Sequence, residues 1–424
     1  MKRYDKYKGS GIPWIGEIPE HWEVQRLGRC FGENRSLNSD LECTEAYKFN
    51  YGSLIRKDEN INPQELVDTY TKYTLLREND IIINGLNLNY DFVTQRVAIA
   101  TQKGIITSAY LTLSPRRGIN HNYYCLLFKA MDSMKLFHGM GSGIRLTLSY
   151  KDLKNQCLPI PPLAEQEAIV AYLEEKVAQM DSLAAKQEAQ IAYLRELKQA
   201  IIARAVTRGL DPHAPLRPSG IPWIGNIPKH WEVRMLSQLS QEYFVSNKDI
   251  KHQNLLSLSY GRIIQRDIDT TEGLLPASYD TYQVIRRENI VLRLTDLQND
   301  HKSLRVGLST QEGIITSAYL TLASRSNVNP KFLYFSLHTA DIKKVFYGMG
   351  SGLRQNLNWK ELRKLCLPLP PPSEQEAIVT YINRKTEEND HLIAMTEQEI
   401  ARVRELKQTL IADVVTGRIN VQPS

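Results

Sequence analysis

The sequence lacks the features that would place the chain in a membrane or in a disulfide-rich class. It contains no run of about eighteen apolar residues, so it predicts no transmembrane helix. Its five cysteines lie far apart and none is in C-x-x-C spacing, which indicates neither a zinc site nor a disulfide framework and favours reduced thiols in a cytoplasm. No Walker A sequence occurs, and no H-x-E spacing is accompanied by the C-x-x-C pair that would complete a zinc motif. These absences favour a cytoplasmic protein with no catalytic residues, no metal site and no cofactor of its own.

Positive charge is unevenly distributed along the chain. The total is +6, yet two segments rich in helix-forming residues, 162–209 and 373–418, carry net charges of −1 and −3. The remaining segments therefore carry +10. A polyanion would bind such an excess of positive charge, although a mildly basic surface without any partner has the same composition.

Five sequence blocks occur twice, and each pair is offset by 209 positions. The blocks are GIPWIG-x-IP-x-HWEV, GIITSAYLTL, GMGSG-x-R, CLP-x-PP-xx-EQEAIV and RELKQ, which begin in the first copy at residues 11, 104, 139, 157 and 195. The chain is therefore two copies of one unit, each a globular domain followed by a long helix. The tryptophans of the first block are predicted to be packing residues, with an aromatic ligand clamp as the less favoured alternative; they are Trp14 and Trp22 in one copy and Trp223 and Trp231 in the other.

The two copies differ most in two segments of each domain. Residues 34–50 and 84–95 of the first copy have little similarity to their counterparts, residues 243–259 and 293–304. Loops vary faster than the elements they connect, so surface drift is one explanation. The functional alternative is that each copy reads a different target with these segments.

Local patterns in the first copy predict a mixed fold. Short runs of β-branched residues predict strands at 80–84, 96–100 and 104–108, and residues 122–137 have a helical pattern. The predicted class is α+β: two pseudo-symmetric α/β domains separated by two long helices that form an antiparallel coiled coil. The predicted boundaries are 1–158 for the N-terminal segment and first domain, 159–210 for the first helix, 211–367 for the linker and second domain, and 368–424 for the second helix and C-terminal tail.

The two long segments, 161–209 and 372–417, carry the pattern of paired helices. Neither has an interior Gly or Pro, and apolar residues recur at steps of three and four. A stripe this narrow needs a partner helix, and each segment supplies one for the other. The predicted seam residues are Leu173, Val177, Met180, Ala184, Ile191, Leu194, Ile201, Ile382, Ile393, Ile400, Val403 and Leu410.

Helix ends are also marked in the sequence. Gly209 and Gly417 follow the last periodic residues and are predicted to stop the two helices. Ser373 and Glu376 have the spacing of a capping box, which predicts the start of the second helix.

The order of these blocks resembles the specificity subunit of a Type I restriction-modification system. The resemblance covers nearly the whole chain and rests on the duplicated LP-x-PP-xx-EQ signature that leads into a long helix. It implies a non-enzymatic subunit whose two target-recognition domains read the halves of a bipartite, asymmetric site in double-stranded DNA. It also implies that the helices dock two adenine-N6 methyltransferase subunits, that motor-nuclease subunits complete the complex, and that these partners bind S-adenosylmethionine, ATP and magnesium. The chain lacks the Asn/Asp-Pro-Pro-Tyr/Phe motif of adenine methylases, in agreement with a non-catalytic role.

Residues for DNA contact are expected among the basic and amide side chains near the variable segments. Phosphate contacts suit Lys and Arg, and base contacts suit Arg, Asn and Gln. The candidates are Arg35, Asn84, Asn87, Asn89, Tyr90, Arg96 and Arg145 in the first copy, and Lys248, Arg293, Asn299, His301, Lys302, Arg305 and Arg354 in the second. The pairs Arg96/Arg305 and Arg145/Arg354 occupy equivalent positions, and a residue shared by domains with different targets suits phosphate better than a base.

Two other classes of function fit parts of the sequence. A non-enzymatic coiled-coil scaffold, binding other proteins through its globular domains, would have the same repeat. A self-sufficient enzyme is disfavoured by the missing catalytic motifs.

Overall fold

The computed structural model describes residues 2–57, 63–90, 92, 95–143, 146–267, 278–300, 304–349 and 356–422. Contacts divide the chain into two compact units. The first unit comprises Met1–Glu188 and Gln398–Ser424, and the second comprises Ala189–Glu397. Each unit contains one copy of the globular domain together with part of each long helix.

The first copy alternates short strands with a few helices. In chain order its described elements are β1 (Tyr7–Gly9), β2 (Glu17–Pro19), β3 (Glu23–Arg26), α1 (Leu27–Cys30), β4 (Phe31–Glu33), β5 (Tyr47–Asn50), β6 (Ser53–Arg56), α2 (Pro63–Tyr70), β7 (Thr74–Leu76), β8 (Ile81–Ile83), β9 (Val97–Ile99), β10 (Gly104–Ile106), β11 (Leu111–Pro115), α3 (His121–Ser133), a 3₁₀ turn (Leu136–Gly139), α4 (Tyr150–Leu153), β12 (Cys157–Ile160) and the long helix α5 (Leu163–Arg208).

A four-stranded antiparallel sheet of order β4–β11–β8–β9 forms the centre of the first domain. All three residues of β8 are fully buried, because this inner strand is covered on both faces and is therefore apolar at every position. Helix α3 packs on the sheet through Tyr124 and Phe128, whose rings contact Phe31 of β4. The predicted strands and helix of this domain are confirmed within a few residues.

The second copy repeats this order, except that no counterpart of α2 lies among its described residues. Its described elements are β13 (Leu216–Pro218), β14 (Asn226–Pro228), β15 (Glu232–Met235), α6 (Leu236–Leu239), β16 (Ser240–Glu242), β17 (Leu256–Ser259), β18 (Arg262–Gln265), β19 (Gln283–Ile285), β20 (Ile290–Leu292), β21 (Val306–Leu308), β22 (Gly313–Ile315), β23 (Leu320–Ser324), α7 (Pro330–Ile342), a 3₁₀ turn (Val345–Gly348), α8 (Trp359–Leu362), β24 (Cys366–Leu369) and the long helix α9 (Pro372–Val415). Its central sheet has the equivalent order β16–β23–β20–β21.

In the first unit, α5 and α9 run antiparallel. Lys407 Nζ donates to Asp181 Oδ1 at 2.7 Å, and Arg404 Nη2 donates to Glu188 Oε1 at 2.8 Å. Residue numbers therefore rise along one helix as they fall along the other, which is the antiparallel direction that the sequence predicts.

In the second unit, the remaining portions of α5 and α9 also run antiparallel. Lys198 Nζ lies 2.7 Å from Asp390 Oδ1, and Arg195 Nη2 lies 3.2 Å from Glu397 Oε1. All twelve residues of the predicted seam are buried or half-buried. The helices are thus joined by a mainly apolar seam flanked by ion pairs.

The repeated HW block holds the beginning of one long helix against the end of the other. In the first unit, His21 Nε2 lies 2.8 Å from Glu165 Oε2 in the first turn of α5. The adjacent Trp22 is fully buried and packs on Gly417, just beyond the end of α9. Only an antiparallel pair brings a helix start and a helix end to one block.

The second unit repeats this arrangement. Glu374, in the first turn of α9, accepts a hydrogen bond from Trp231 Nε1 at 3.0 Å and lies 2.8 Å from His230 Nε2. Trp231 also packs on Gly209, which ends α5 with a left-handed backbone (φ +72°). The predicted packing role of the tryptophans and the predicted glycine stops are confirmed.

The predicted capping box of the second helix is wrong. Helix α9 begins at Pro372, so Ser373 already lies inside the first turn and cannot be its N-cap. Proline is well suited to this first position, because a backbone N–H there would have no acceptor within the helix and its absence costs no hydrogen bond.

Candidate nucleic-acid interface

The segment between β8 and β9 is the second variable segment of the first copy, and a buried arginine holds it. Arg96 has no exposed surface (0%), and its backbone N–H donates to Asp132 Oδ2 of α3 at 2.7 Å. Its guanidinium donates to backbone carbonyl oxygens of the segment, those of Asn84 (2.9 Å), Leu86 (2.8 Å) and Asn87 (3.5 Å). Backbone carbonyls are common to all residues, so this contact fixes the path of the segment without constraining its sequence.

Arg305 repeats the arrangement in the second copy. It is also fully buried, and its backbone N–H donates to Asp341 Oδ2 of α7 at 2.6 Å. Its guanidinium donates to four carbonyl oxygens of the variable segment, those of Arg293 (3.2 Å), Thr295 (2.8 Å), Asp296 (3.3 Å) and Asp300 (2.6 Å). Two segments of different sequence are thus held by the same device.

The expected phosphate contact of Arg96 and Arg305 is wrong. A guanidinium with no exposed surface cannot reach a DNA phosphate, and both groups are already bound to carbonyl oxygens. The shared arginines instead shape the segments that carry the other candidates.

The other described candidates of the first copy lie at the surface of the domain or partly within it. Asn87 and Tyr90 are exposed, and Asn87, which has a left-handed backbone (φ +53°), begins a turn in which its carbonyl accepts the N–H of Tyr90 at 3.2 Å. Asn84 and Asn89 are half-buried, and Asn84 Oδ1 accepts the N–H of Leu86 at 3.2 Å. The structure therefore brings these four together on one segment.

Arg35 lies on the first variable segment. Its side chain is largely exposed and forms an ion pair with Glu33 at 2.9 Å. An exposed ion pair of this kind is weak, so a phosphate can compete with the carboxylate for the guanidinium.

The other described candidates of the second copy are likewise exposed or half-buried. Lys248 is exposed on the first variable segment. On the second variable segment, Asn299 Nδ2 donates to Asp296 Oδ1 at 2.7 Å, and the half-buried Arg293 lies 3.9 Å from Asp300 Oδ2. Arg145, His301, Lys302 and Arg354 lie outside the described residues.

The first variable segment of each copy is held by a buried asparagine that the sequence analysis missed. Asn38 Nδ2 donates to the carbonyl oxygens of Cys43 (2.8 Å) and Tyr70 (3.2 Å). The equivalent Asn247 donates to those of His252 (3.1 Å) and Tyr279 (3.3 Å). The signal was available, because both residues keep their identity within segments that otherwise differ.

The buried carboxylates behind the arginines are perturbed electrostatically. Burial raises the pKa of Asp341 to about 6, despite the opposing hydrogen bond from the N–H of Arg305 and the charge of Lys344. Burial also raises the pKa of Asp132, the equivalent residue of the first copy. Burial therefore disfavours the ionised carboxylate inside both domains.

This perturbation predicts a pH-dependent stability. The folded-state pKa of Asp341 exceeds its usual value of 3.8, so the stabilisation due to protonation is complete below that value and is lost as pH rises through about 6. Asp341→Asn retains an oxygen for the N–H of Arg305 and has no charge to bury. In urea titrations at pH 7.5 we expect the variant to have a higher free energy of unfolding than the wild type, by on the order of 1–3 kcal/mol.

At pH 5 this advantage should be smaller by about 1 kcal/mol, because the wild-type carboxyl is then mostly protonated. Asp249→Asn is the control, because Asp249 is exposed and Lys251 lowers the pKa of that carboxyl. An equal advantage of Asp341→Asn at both pH values would contradict the assignment.

Within the described ranges, no group of His, Cys, Asp and Glu side chains could hold a metal ion. The same residues include no helix long and apolar enough to span a bilayer.

A family model and individual relatives identify the same family for this chain. The sequence model of the Type I restriction modification DNA specificity domain matches residues 19–193 and 305–402. The Type I restriction enzyme MjaVIII specificity subunit of Methanocaldococcus jannaschii is 24% identical over 428 residues, covering 96% of this chain and 94% of that protein.

Solved structures agree at the level of the fold. A chain from a study of complex assembly and conformational transition in a type I R-M system superposes with a TM-score of 0.67 at 15% identity, covering 94% of this chain and 98% of that one. The HsdS subunit from Thermoanaerobacter tengcongensis gives a TM-score of 0.52 at 16% identity, covering 95% and 98%. The predicted α+β class with two long helices is confirmed.

Proposed function

We propose, from the premise that this chain belongs to the Type I restriction-modification DNA specificity family, that each of its domains reads one half of a bipartite, asymmetric site in double-stranded DNA. In this proposal the chain has no catalytic activity of its own. Adenine-N6 methyltransferase subunits, and motor-nuclease subunits in the full complex, would supply the chemistry together with S-adenosylmethionine, ATP and magnesium.

One observation carries the proposal: the two domains share a framework but present different segments on it. The buried arginine guanidiniums hold the variable segments mainly through backbone carbonyls, so the fold keeps the path of each segment while leaving most of its side chains free to vary. Different side chains on equivalent scaffolds suit two different half-sites better than one repeated sequence.

The long helices offer a surface for the methyltransferase subunits. Where two seam positions of a coiled coil are four residues apart, the residue just after the first lies on one flank of the seam. The residue just before the second lies on the other flank. Gln187 occupies the seam position between Ala184 and Ile191. Glu188 follows it and pairs with Arg404, which follows the seam residue Val403, so this ion pair lies on one flank. Leu183 precedes the seam residue Ala184 and therefore lies on the other flank.

Four exposed leucines share this second flank. Leu183 and Leu406 belong to the first unit, and their equivalents Leu392 and Leu197 belong to the second. Exposed leucines in a repeated position are typical of a protein interface. Each unit would thus dock one methyltransferase subunit.

We predict that a charge at these leucines prevents docking. Leu406→Lys should reduce the complex from two methyltransferase subunits to one, because a buried lysine ammonium would be desolvated without a partner. Leu392→Lys should do the same, and the double variant should bind none. Native mass spectrometry of co-purified complexes measures the stoichiometry. Glu188→Gln, on the ion-paired flank, is the control and should retain two subunits; full docking by the double variant would refute the assignment.

DNA binding by the assembled complex tests the proposed function. With methyltransferase present, affinity for cognate DNA should fall by about 10³ between 50 and 200 mM salt, as phosphate contacts dictate. The purified chain alone, incubated with DNA, S-adenosylmethionine and magnesium, should neither methylate nor cleave. The alternative, a scaffold whose domains bind only proteins, predicts no salt-dependent DNA affinity even in the complex.

A further inference from the structure

A hairpin tip in each domain carries an exposed tyrosine in an unfavourable backbone conformation. The turn between β5 and β6 places Tyr51 at φ +42° and Gly52 at φ +77°. The turn between β17 and β18 places Tyr260 at φ +45° and Gly261 at φ +77°. Two successive positive φ angles define a type I′ turn, whose first central position favours Asn, Asp or Gly and disfavours a bulky side chain.

Packing of the two tyrosine side chains does not offset the energetic cost of this backbone conformation. Tyr51 is 69% exposed and Tyr260 is 77% exposed. Both copies nevertheless keep tyrosine here, directly after segments 34–50 and 243–259, most of whose residues differ between the copies. A strained, exposed and duplicated aromatic residue indicates a role outside folding.

The tips stand against the variable segments that the buried arginines hold. A Cβ added to Gly52 would lie 2.8 Å from Gln95 Oε1, and one added to Gly261 would lie 3.0 Å from Leu304 Cβ. Gln95 and Leu304 immediately precede Arg96 and Arg305. Each tyrosine is therefore carried beside the end of a variable segment.

Basic side chains accompany the tips. Lys48 is exposed on β5, and Lys129 of α3 lines the same cavity as Gly52. In the second domain, Arg262 follows the tip and Arg266 ends the hairpin, both exposed.

Tyr260 lines a cavity whose walls also include two acidic residues of α9, Asp390 and Glu397. Asp390 is bound to Lys198 and Glu397 to Arg195, so their charges are compensated. The surroundings of the tip are thus neutral to basic and suit an anionic partner.

We propose that Tyr51 and Tyr260 contact the DNA sugar–phosphate backbone and set the position of each domain on its half-site. The inference rests on the proposed DNA-specificity function and deepens it. A residue common to two domains with different readers must bind a feature common to all sequences, which in duplex DNA is the backbone. A tyrosine hydroxyl can donate to a phosphate oxygen, and the ring packs on the sugar.

Tyr260→Asn separates the contact from folding. Asn-Gly is the favoured pair of a type I′ turn, so the melting temperature of the chain should be unchanged or about 1–3 °C higher. Affinity of the methyltransferase complex for cognate DNA should fall about five- to tenfold. Tyr260→Phe should show most of this loss if the hydroxyl makes the contact.

The loss should be the same on cognate DNA and on DNA with one changed base pair in the half-site, because a backbone contact carries no sequence information. The control is Glu288→Asn, which relieves another exposed left-handed residue (φ +71°) of the same domain, in the turn between β19 and β20. It should give a similar thermal shift and leave DNA affinity within about twofold of the wild type.

Several outcomes would overturn the inference. They are wild-type affinity in Tyr260→Asn, a changed ratio between cognate and altered DNA, and loss of methyltransferase assembly with no direct effect on DNA. Failure of the wild-type complex to bind DNA would instead contradict the proposed function itself.

Discussion

Arg305→Met is expected to lower the free energy of unfolding of the second unit by about 3–5 kcal/mol. The guanidinium satisfies four carbonyl oxygens of the variable segment, and methionine satisfies none of them. Each buried acceptor without a donor costs about 1–3 kcal/mol, and partial entry of water reduces the sum. Urea titration followed by circular dichroism measures the change.

The same substitution should abolish reading of one half-site. Without the arginine, residues 293–300 lose their fixed path, and side chains that must meet base edges are no longer held in place. Methylation of cognate DNA by the assembled complex should therefore fall at least tenfold even where the variant is folded. Arg287→Met removes the same charge from an exposed position and is the control. If the two variants had the same free energy of unfolding and the same methylation activity in the complex, the role assigned to Arg305 would be wrong.

Trp231→Ala is expected to have an effect of similar size on stability, about 3–5 kcal/mol. The indole is 1% exposed, packs on Gly209 and donates to Glu374, so its loss opens a large cavity and leaves a carboxylate with one donor fewer. The end of α5 and the start of α9 would no longer be joined through one side chain.

Trp223→Ala provides the comparison, because Trp223 is only half-buried in the same block. It should cost about 1–2 kcal/mol. Equal costs for the two variants would show that the block packs but does not join the helices. Trp22→Ala should behave like Trp231→Ala in the first unit.

The large-scale organisation could be predicted from the sequence because duplication and helical periodicity are visible without any structure. A 209-residue offset identifies two copies, and the spacing of apolar residues identifies the long helices and their seam. Short β-branched runs were sufficient to locate the inner strands, since strands covered on both faces are apolar throughout.

The roles of charged residues could not be predicted in the same way. Arg96 and Arg305 adjoin variable segments and are shared by both copies, and these properties fit a phosphate contact and a buried brace equally well. The groups that each arginine binds decide between these two roles. Loop carbonyls have no sequence signature, and Asp132 and Asp341 each lie 36 residues along the chain from the arginine whose N–H they accept.

The HW block illustrates a second limit. Its density of Trp, Pro and Gly predicted packing, but the sequence did not reveal that one block meets two different helix ends. Such a contact depends on where the block docks on the antiparallel pair of α5 and α9, and only the tertiary structure specifies that position.

Mapping methylated adenines in a host with and without this gene, alongside the cognate methyltransferase, tests the central claim most directly. Two unlike readers on one chain predict a motif that appears only with the gene, has two specified parts separated by unspecified bases, and differs between its halves. A continuous motif, or a methylation pattern that does not depend on the gene, would contradict the account.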